Sequence, residues 1–387
     1  MEIEKQSIEL HKKLKGKIST HIKHNIKTKH DLSLIYTPGV GEISNIIAKD
    51  NNKAYDYTIK NNTVAIISDG SAVLGLGNIG ALGALPVMEG KAQLFKQLAD
   101  IDAFPICLDK QDIELTINTI KNIAPVFGGI NLEDFKAPEC FEIEKRLQDI
   151  GIPVMHDDQH GTAVVVLAAL INAIEIKNIK KESTKIIING AGAAGIAITK
   201  ILDNYGFNDI LVLDSKGIIN KNRTDMNKYK HEIADLTNHK NIQGNLETAL
   251  KNADTFIGVS KPNLLTKELI QLMNNNPIIF ALANPIPEIM PKEAKKAGVK
   301  IIATGRSDFP NQVNNSLAFP GIFKGALEIR AKKITNNMKI AAAIALAKYT
   351  RDTIKDKDIL LPSTLDLKVP KIIAEAVKKA YKEDEQD

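Results

Sequence analysis

The stretch 124–163, APVFGGINLEDFKAPECFEIEKRLQDIGIPVMHDDQHGTA, decides the fold. Two short apolar runs, 126–132 and 152–155, each end abruptly in acids: Glu133 and Asp134 after the first, Asp157 and Asp158 after the second. Between them, residues 138–147 carry apolar side chains at helical spacing, so the segment predicts strand, helix, strand. Parallel strands joined by a crossover helix end on the same edge of their sheet, and that carboxyl edge is where open α/β sheets bind ligands. Both acidic pairs therefore converge on one place. Carboxylates a few ångströms apart repel unless a proton or a cation lies between them. An all-oxygen set suits magnesium or manganese. For either pair alone the alternative is a helix cap or a solvated loop; two pairs closing two strands of one unit favour the metal.

Working outward, a chain of 387 residues exceeds one ordinary core and divides into two domains, 1–160 and 161–387. Its 44% hydrophobic and 25% charged residues are those of a globular protein. The net charge of +5 is spread along the chain, which argues against a nucleic-acid partner. Cys107 and Cys140 fit neither a metal spacing nor a disulfide framework, and such sparse use suits a reducing compartment. The N-terminus has no apolar signal core and no run approaches the length of a bilayer span. The expectation is a cytoplasmic protein with no membrane partner.

In the first half, residues 1–30 are polar with His11, His21, His24 and His30 dispersed among them, and Ile8, Leu10, Leu14, Ile18 and Ile22 predict an amphipathic helix whose charged face is solvated. Tyr36 precedes a turn set by Pro38 and Gly39 and reads, alone, as a packing tyrosine with a surface hydroxyl. A strand is expected at 64–67. Gly75, Gly77 and Gly80 then imitate a dinucleotide fingerprint but stand too far from that strand, so they read as a turn lining a cleft. Past Pro86 a helix is expected to begin near Gly90, with Lys91 in its first turn. Positive surroundings and burial there would lower the lysine toward neutrality, as a general base requires. Lys96, further along, is the alternative. Another strand follows at 103–108.

In the second half the fingerprint is complete: a strand at 185–188, then Gly190, Gly192 and Gly195 within GAGAAG, then a helix. The first glycine permits the turn, the second lets pyrophosphate approach the backbone, and the third lets helix and strand pack. Ala191, Ala193 and Ala194 complete the loop. The next strand, 210–213, ends in Asp214, where an acid grips the adenosine ribose. Asp214 favours NAD; Lys216, two residues on, would favour NADP. Asn284 closes a further strand, and Asn311, Asn314 and Asn315 lie in a loop before a helix starting near Gly321.

YTPGV, EGKA, LEDF, HDDQHGTA, GAGAAG, ANP and NQVNNSLAFPG together resemble the malic enzymes, in their shorter prokaryotic branch, over nearly the whole chain. The resemblance implies an N-terminal α/β domain for substrate and metal, a Rossmann-type domain for NAD or NADP, and a helical C-terminus. It also implies a homodimer and oxidative decarboxylation of malate to pyruvate with Mg2+ or Mn2+. Residue by residue, Tyr36 of YTPGV matches the general acid and Lys91 of EGKA the general base. Glu133, Asp134 and Asp158 match the metal ligands, with Asp157 beside them; Asn284 and Asn315 match positions near substrate and nicotinamide. Longer relatives carry an arginine where this chain has Ala72, which leaves Arg306 and Ser71 as candidates for the substrate carboxylate. Rival readings are a malolactic-type or other 2-hydroxy acid dehydrogenase, and a silent NAD-binding regulatory protein.

Overall fold

Uncharged, mostly β-branched residues make Thr63–Ser68 a strand (β1) with all six positions buried. In the computed structural model, which describes residues 2–73, 75–109 and 112–385, β1 pairs in parallel with Asp102–Cys107 (β2) and Gly129–Leu132 (β3). In turn β3 pairs in parallel with Val154–His156 (β4), giving a sheet of order β2-β1-β3-β4. Four short helices precede it: Glu2–Leu14 (α1), Lys29–Ile35 (α2), Val40–Lys49 (α3) and Ala54–Tyr57 (α4). The crossovers are Gly80–Ala99 (α5), Ile113–Ile123 (α6) and Glu139–Arg146 (α7). Asp157–Lys177 (α8) then leads to the second sheet.

The second sheet has the order β10-β9-β8-β5-β6-β7. Its strands are Lys185–Asn189 (β5), Asp209–Asp214 (β6), Gly217–Ile218 (β7), Thr255–Gly258 (β8), Ile278–Ala281 (β9) and Ile301–Thr304 (β10). All pairings are parallel except that of β7, which turns back antiparallel on β6. Strand order reverses between β5 and β8, so a crevice opens beyond their carboxyl ends. The intervening helices are Ala193–Tyr205 (α9), Lys228–Leu236 (α10), Leu246–Leu250 (α11), Lys267–Ile270 (α12) and Pro291–Lys296 (α13). Three more close the chain: Phe319–Glu328 (α14), Asn336–Thr353 (α15) and Val369–Asp384 (α16). They return to the first sheet: Phe319 packs against Phe95 of α5 with ring centroids 4.7 Å apart, and Lys324 donates to the carbonyl of Ala99.

Three expectations need correction. The N-terminal helix stops at Leu14, because Lys15 (φ +54°) and Gly16 (φ +117°) turn left-handed; Ile18 and Ile22 lie beyond it. The helix carrying Lys91 starts at Gly80, not Gly90, and runs through Pro86. Its buried stripe of Ala84, Met88, Lys91, Ala92, Phe95 and Leu98 repeats at helical spacing across the proline, and that packing outweighs the single lost amide donor. Lys91 is therefore mid-helix, away from the positive end of the dipole. Third, α8 is long and apolar enough to cross a bilayer, contrary to the sequence expectation; 67% of its most apolar window is buried inside the fold, as in a core helix.

Candidate active site

Register brings the acids together. Leu132 of β3 stands opposite His156 of β4, so the next residues, Glu133 and Asp157, leave the sheet side by side at its carboxyl edge. One oxygen each of Glu133, Asp134 and Asp158 lies within 4.8 Å of the others. Asp134 takes a left-handed conformation (φ +54°), which aspartate tolerates better than most residues. From it the backbone N–H donates to Asp158 Oδ2 at 2.9 Å, and its carbonyl accepts the Ala72 N–H at 2.9 Å. Asp157 lies fully buried at the start of α8. Gly161, one turn on, makes room for it: a Cβ there would stand 1.8 Å from Asp157 Oδ1 and 3.0 Å from the Asn315 Cβ.

Lys91 Nζ donates to Asp157 Oδ2 at 2.5 Å and forms a second buried ion pair with Glu133, while lying 4.6 Å from the Phe319 ring centre. Burial opposes its charge, but the Asp157, Glu133 and Asp158 carboxylates outweigh burial and hold the ammonium above its ordinary value. The sequence expectation of a lowered lysine is thus reversed, since its surroundings are negative. Burial, reinforced by mutual repulsion, raises the Glu133, Asp157 and Asp158 carboxyls. Clustered buried oxygens that resist ionising together are a donor set that fits a hard divalent ion.

A cleft of about 550 Å3 joins this cluster to the second sheet. Asp134, Asp158, Asn314 and Asn315 line one part of it; Ala193, Ala194, Val259, Ser260 and Asn284 line another. The fingerprint glycines divide as their chemistry requires. Gly190 (φ +131°) and Gly195 are needed by the fold, for a Cβ would meet the Val259 carbonyl at 2.6 Å and the Gly190 carbonyl at 1.8 Å, respectively. Gly192 caps α9 and faces open space, the room a pyrophosphate at a helix N-terminus requires. Ala191 lies between them, packed against the main core. The glycine-rich turn also reaches the cleft, with Gly75 so close to the Asn284 carbonyl that a Cβ would stand 2.8 Å from it.

Other candidates fall elsewhere. Tyr36 is 67% exposed at the end of α2 and is absent from the cleft lining. Ser71 is engaged by Asp69 and the Lys136 N–H. Arg306 is engaged by Asp308 and the Pro285 carbonyl. Lys96, on the exposed side of α5, pairs with Asp100 and Asp102. Asn311 clamps the backbone at Ile302, Asp358 and Leu360, a structural task.

Sequence reading missed several residues that shape the site. Lys136 and Thr162 line the cleft. Buried Glu288 accepts the N–H groups of Ser260 and Ala283 at 3.1 and 3.0 Å, fixing two strand ends beside it. Buried Glu144 on α7 accepts from the His156 N–H, Gln159 and His160, so it anchors the start of α8 from behind. No local signal announced either, since each is defined by the N–H groups it meets in the fold.

A dinucleotide crevice opening onto a carboxylate cluster defines a nicotinamide-dependent oxidoreductase. Residues 15–148 match the malic enzyme N-terminal domain and residues 159–381 the malic enzyme NAD binding domain. The chain belongs to the malic enzyme family. It is 51% identical to the bifunctional malic/malolactic enzyme of Bacillus subtilis, over 99% of this chain and 94% of that one. Identity to the NADP-dependent malic enzyme of Halomonas elongata is 45%, over 95% and 91%. The crystal structure of the NAD-dependent malic enzyme of Thermotoga maritima superposes with a TM-score of 0.92 at 53% identity, over 96% and 98%.

Proposed function

We propose that the chain oxidises and decarboxylates L-malate to pyruvate and carbon dioxide while reducing NAD or NADP. One observation carries the reading: Asp134, Asp158 and Asn315 line a single cleft together with Ala193, Ala194 and Asn284. Lys91 is bound to the adjoining Glu133 and Asp157. In this reading Glu133, Asp134 and Asp158 hold Mg2+ or Mn2+, and Gly190–Gly195 hold the cofactor pyrophosphate. When bound, the ion supplies a Lewis acid for charge developing on the C2 oxygen and the nicotinamide supplies a hydride acceptor. Asn284 and Asn315 orient the 2-hydroxy acid between them. Lys91 takes the hydroxyl proton; neutralising its carboxylate neighbours is what frees its own proton to leave. Loss of carbon dioxide from C4 leaves an enolate, and Tyr36, brought to the cleft by a second copy of this chain, delivers the proton to C3. Lys136, on the cleft wall, is the candidate cation for a substrate carboxylate, in place of Arg306 and Ser71.

The homodimer belongs to the same proposal. None of residues 3–62 is buried, although Leu32, Leu34, Ile35, Tyr36 and Val40 are large apolar side chains among them. A compact monomer of 42.4 kDa exposes about 15,000 Å2. This chain exposes 19686 Å2. The excess of roughly 4,600 Å2 per chain is surface that a monomer of this mass would ordinarily bury. A second copy that covers this arm also removes Tyr36 from solvent. The reading places the enzyme in the cytoplasm, with both cysteines free.

The test is formation of pyruvate and reduced nicotinamide from L-malate, with Mn2+ or chelator present. Metal-dependent appearance of both products is expected. Oxaloacetate without pyruvate would make the chain a simple dehydrogenase, and lactate without net cofactor reduction would make it a malolactic enzyme.

A further inference from the structure

A second cavity of about 440 Å3, a volume that suits a small molecule, shares no lining residue with the catalytic cleft. The same two helices nevertheless border both. From α8, Asp158 and Thr162 line the cleft while Gln159 and His160 line the cavity; from α9, Ala193 and Ala194 line the cleft while Ile196 and Lys200 line the cavity. Much of the remaining wall comes from α7, α10 and α15. There Phe141 of α7 packs against Tyr229 of α10 with ring centroids 4.5 Å apart.

The polar part of the wall centres on Lys339 of α15, which is half-buried. Its Nζ donates to His160 Nδ1 at 3.3 Å, and His160 Nε2 donates in turn to Glu144 at 3.0 Å. An ammonium can only donate, so Nδ1 is the accepting nitrogen and Nε2 carries the ring proton. Among the described residues no carboxylate forms an ion pair with Lys339, which leaves two of its three donors for a ligand. The acids on the wall are occupied or held back. Glu144 is filled by the His156 N–H, Gln159 and His160, and Glu232 pairs with Lys200 at 2.9 Å. Burial raises the Asp203 carboxyl, with His239 opposing. Burial lowers the Lys339 ammonium; Glu144 opposes that shift and Lys200 adds to it, so the two lysines are close enough to repel. An anion between them relieves both the repulsion and the unpaired charge.

We propose that this cavity is an effector site for a small organic anion: its carboxylate or phosphate group binds between Lys339 and Lys200, and its apolar body packs against Phe141 and Tyr229. Occupancy reaches the catalytic cleft through His160 and Glu144, whose carboxylate holds the His156 N–H at the start of α8, next to Asp157 and Asp158. The effector role rests on the malate reaction proposed above; the binding does not.

Calorimetric titration with phenyl phosphate, benzoate and neutral benzyl alcohol tests the site, with saturating Mg2+ and L-malate present and no nicotinamide cofactor. At least one of the two anions should bind once per chain and the alcohol should not; the tighter anion identifies the head group as phosphate or carboxylate. Lys339→Gln should weaken that anion about tenfold or more, the scale of a hydrogen bond to a charged group, and Lys339→Arg should retain it. Lys200→Ala should cost about threefold, as for a charge at the rim, and it decides the matter should Lys339→Gln fail to fold in melting profiles. Equal binding of benzyl alcohol overturns the proposal, as does binding of neither anion or unchanged affinity in the folded variants. In malate turnover the bound anion should change KM or kcat by about fivefold, the lower end of ordinary coupling between sites, in the wild type but not in Lys339→Gln. Binding that leaves both constants unchanged overturns the effector role, whereas an absence of turnover with binding intact removes the malate reading instead.

Discussion

Lys91 concentrates the chemistry of the first sheet, yet its charge state is the reverse of what its neighbours in sequence suggest. The partners that decide it, Glu133 and Asp157, lie more than forty and sixty residues away. Lys91→Ala should cut turnover by roughly 10²–10⁴, the usual scale of general acid–base catalysis, with cofactor affinity nearly unchanged in a binding titration. Glu144 is the other residue whose work is hidden from the sequence. Burial opposes its charge, but His160, Lys339 and His156 outweigh burial and hold its carboxyl at about 2, below the ordinary 4.5. As pH falls the unfolded chain takes up this proton first, so the contribution is complete above pH 4.5 and drains away toward pH 2. Glu144→Gln should therefore lose about 3 kcal/mol at neutral pH, the scale for breaking a buried ion network. In thermal melts the gap between variant and wild type should close below pH 4.5. The acids that close β3 and β4 were readable because strand ends aim at one edge; Glu144 and Glu288 were not, because their meaning lies in which donors they meet in the fold.

At the scale of elements, the strand–helix–strand unit was legible from periodicity and the fingerprint unit from its glycine spacing, and their strands fall within a few residues of the expected positions. The start of α5 was not. A proline ordinarily closes a helix, and only the stripe of residues buried against the sheet reveals that this one continues through it. The first turn of α8 shows how tightly such an element can be specified. Gly161→Ala would drive a methyl into Asp157, and a loss of about 1–3 kcal/mol is expected from overpacking, together with weakened response to Mn2+ in a melting assay. In the unsubstituted protein, Mn2+ at roughly 100 times its dissociation constant should add about 2.7 kcal/mol. Because burial raises the Glu133 and Asp158 carboxyls, protons compete with the cation, so the stabilisation should grow as pH rises from acid to neutral. A shift that shrinks with rising pH would sink the assignment of these acids as ligands.

For the molecule as a whole, the unburied arm makes a prediction about pairs of chains. If an arm serves the cleft of its partner, Tyr36→Phe and Lys91→Ala chains, each inactive alone, should regain activity when co-expressed and purified as tagged heterodimers, since one of the two sites is then intact. Verified heterodimers that stay inactive would confine Tyr36 to its own chain, and a sedimentation mass of one 42.4 kDa chain would remove the dimer altogether. The return of α14 and α16 to α5 has a consequence for how the enzyme comes into being. Phe319, which packs on Phe95 and faces the Lys91 ammonium, lies beyond the whole second sheet in sequence. While the chain is being made, the first sheet emerges early but its lysine stays unroofed until the second sheet has followed. A growing chain thus carries its acids and its base well before it is finished as a catalyst.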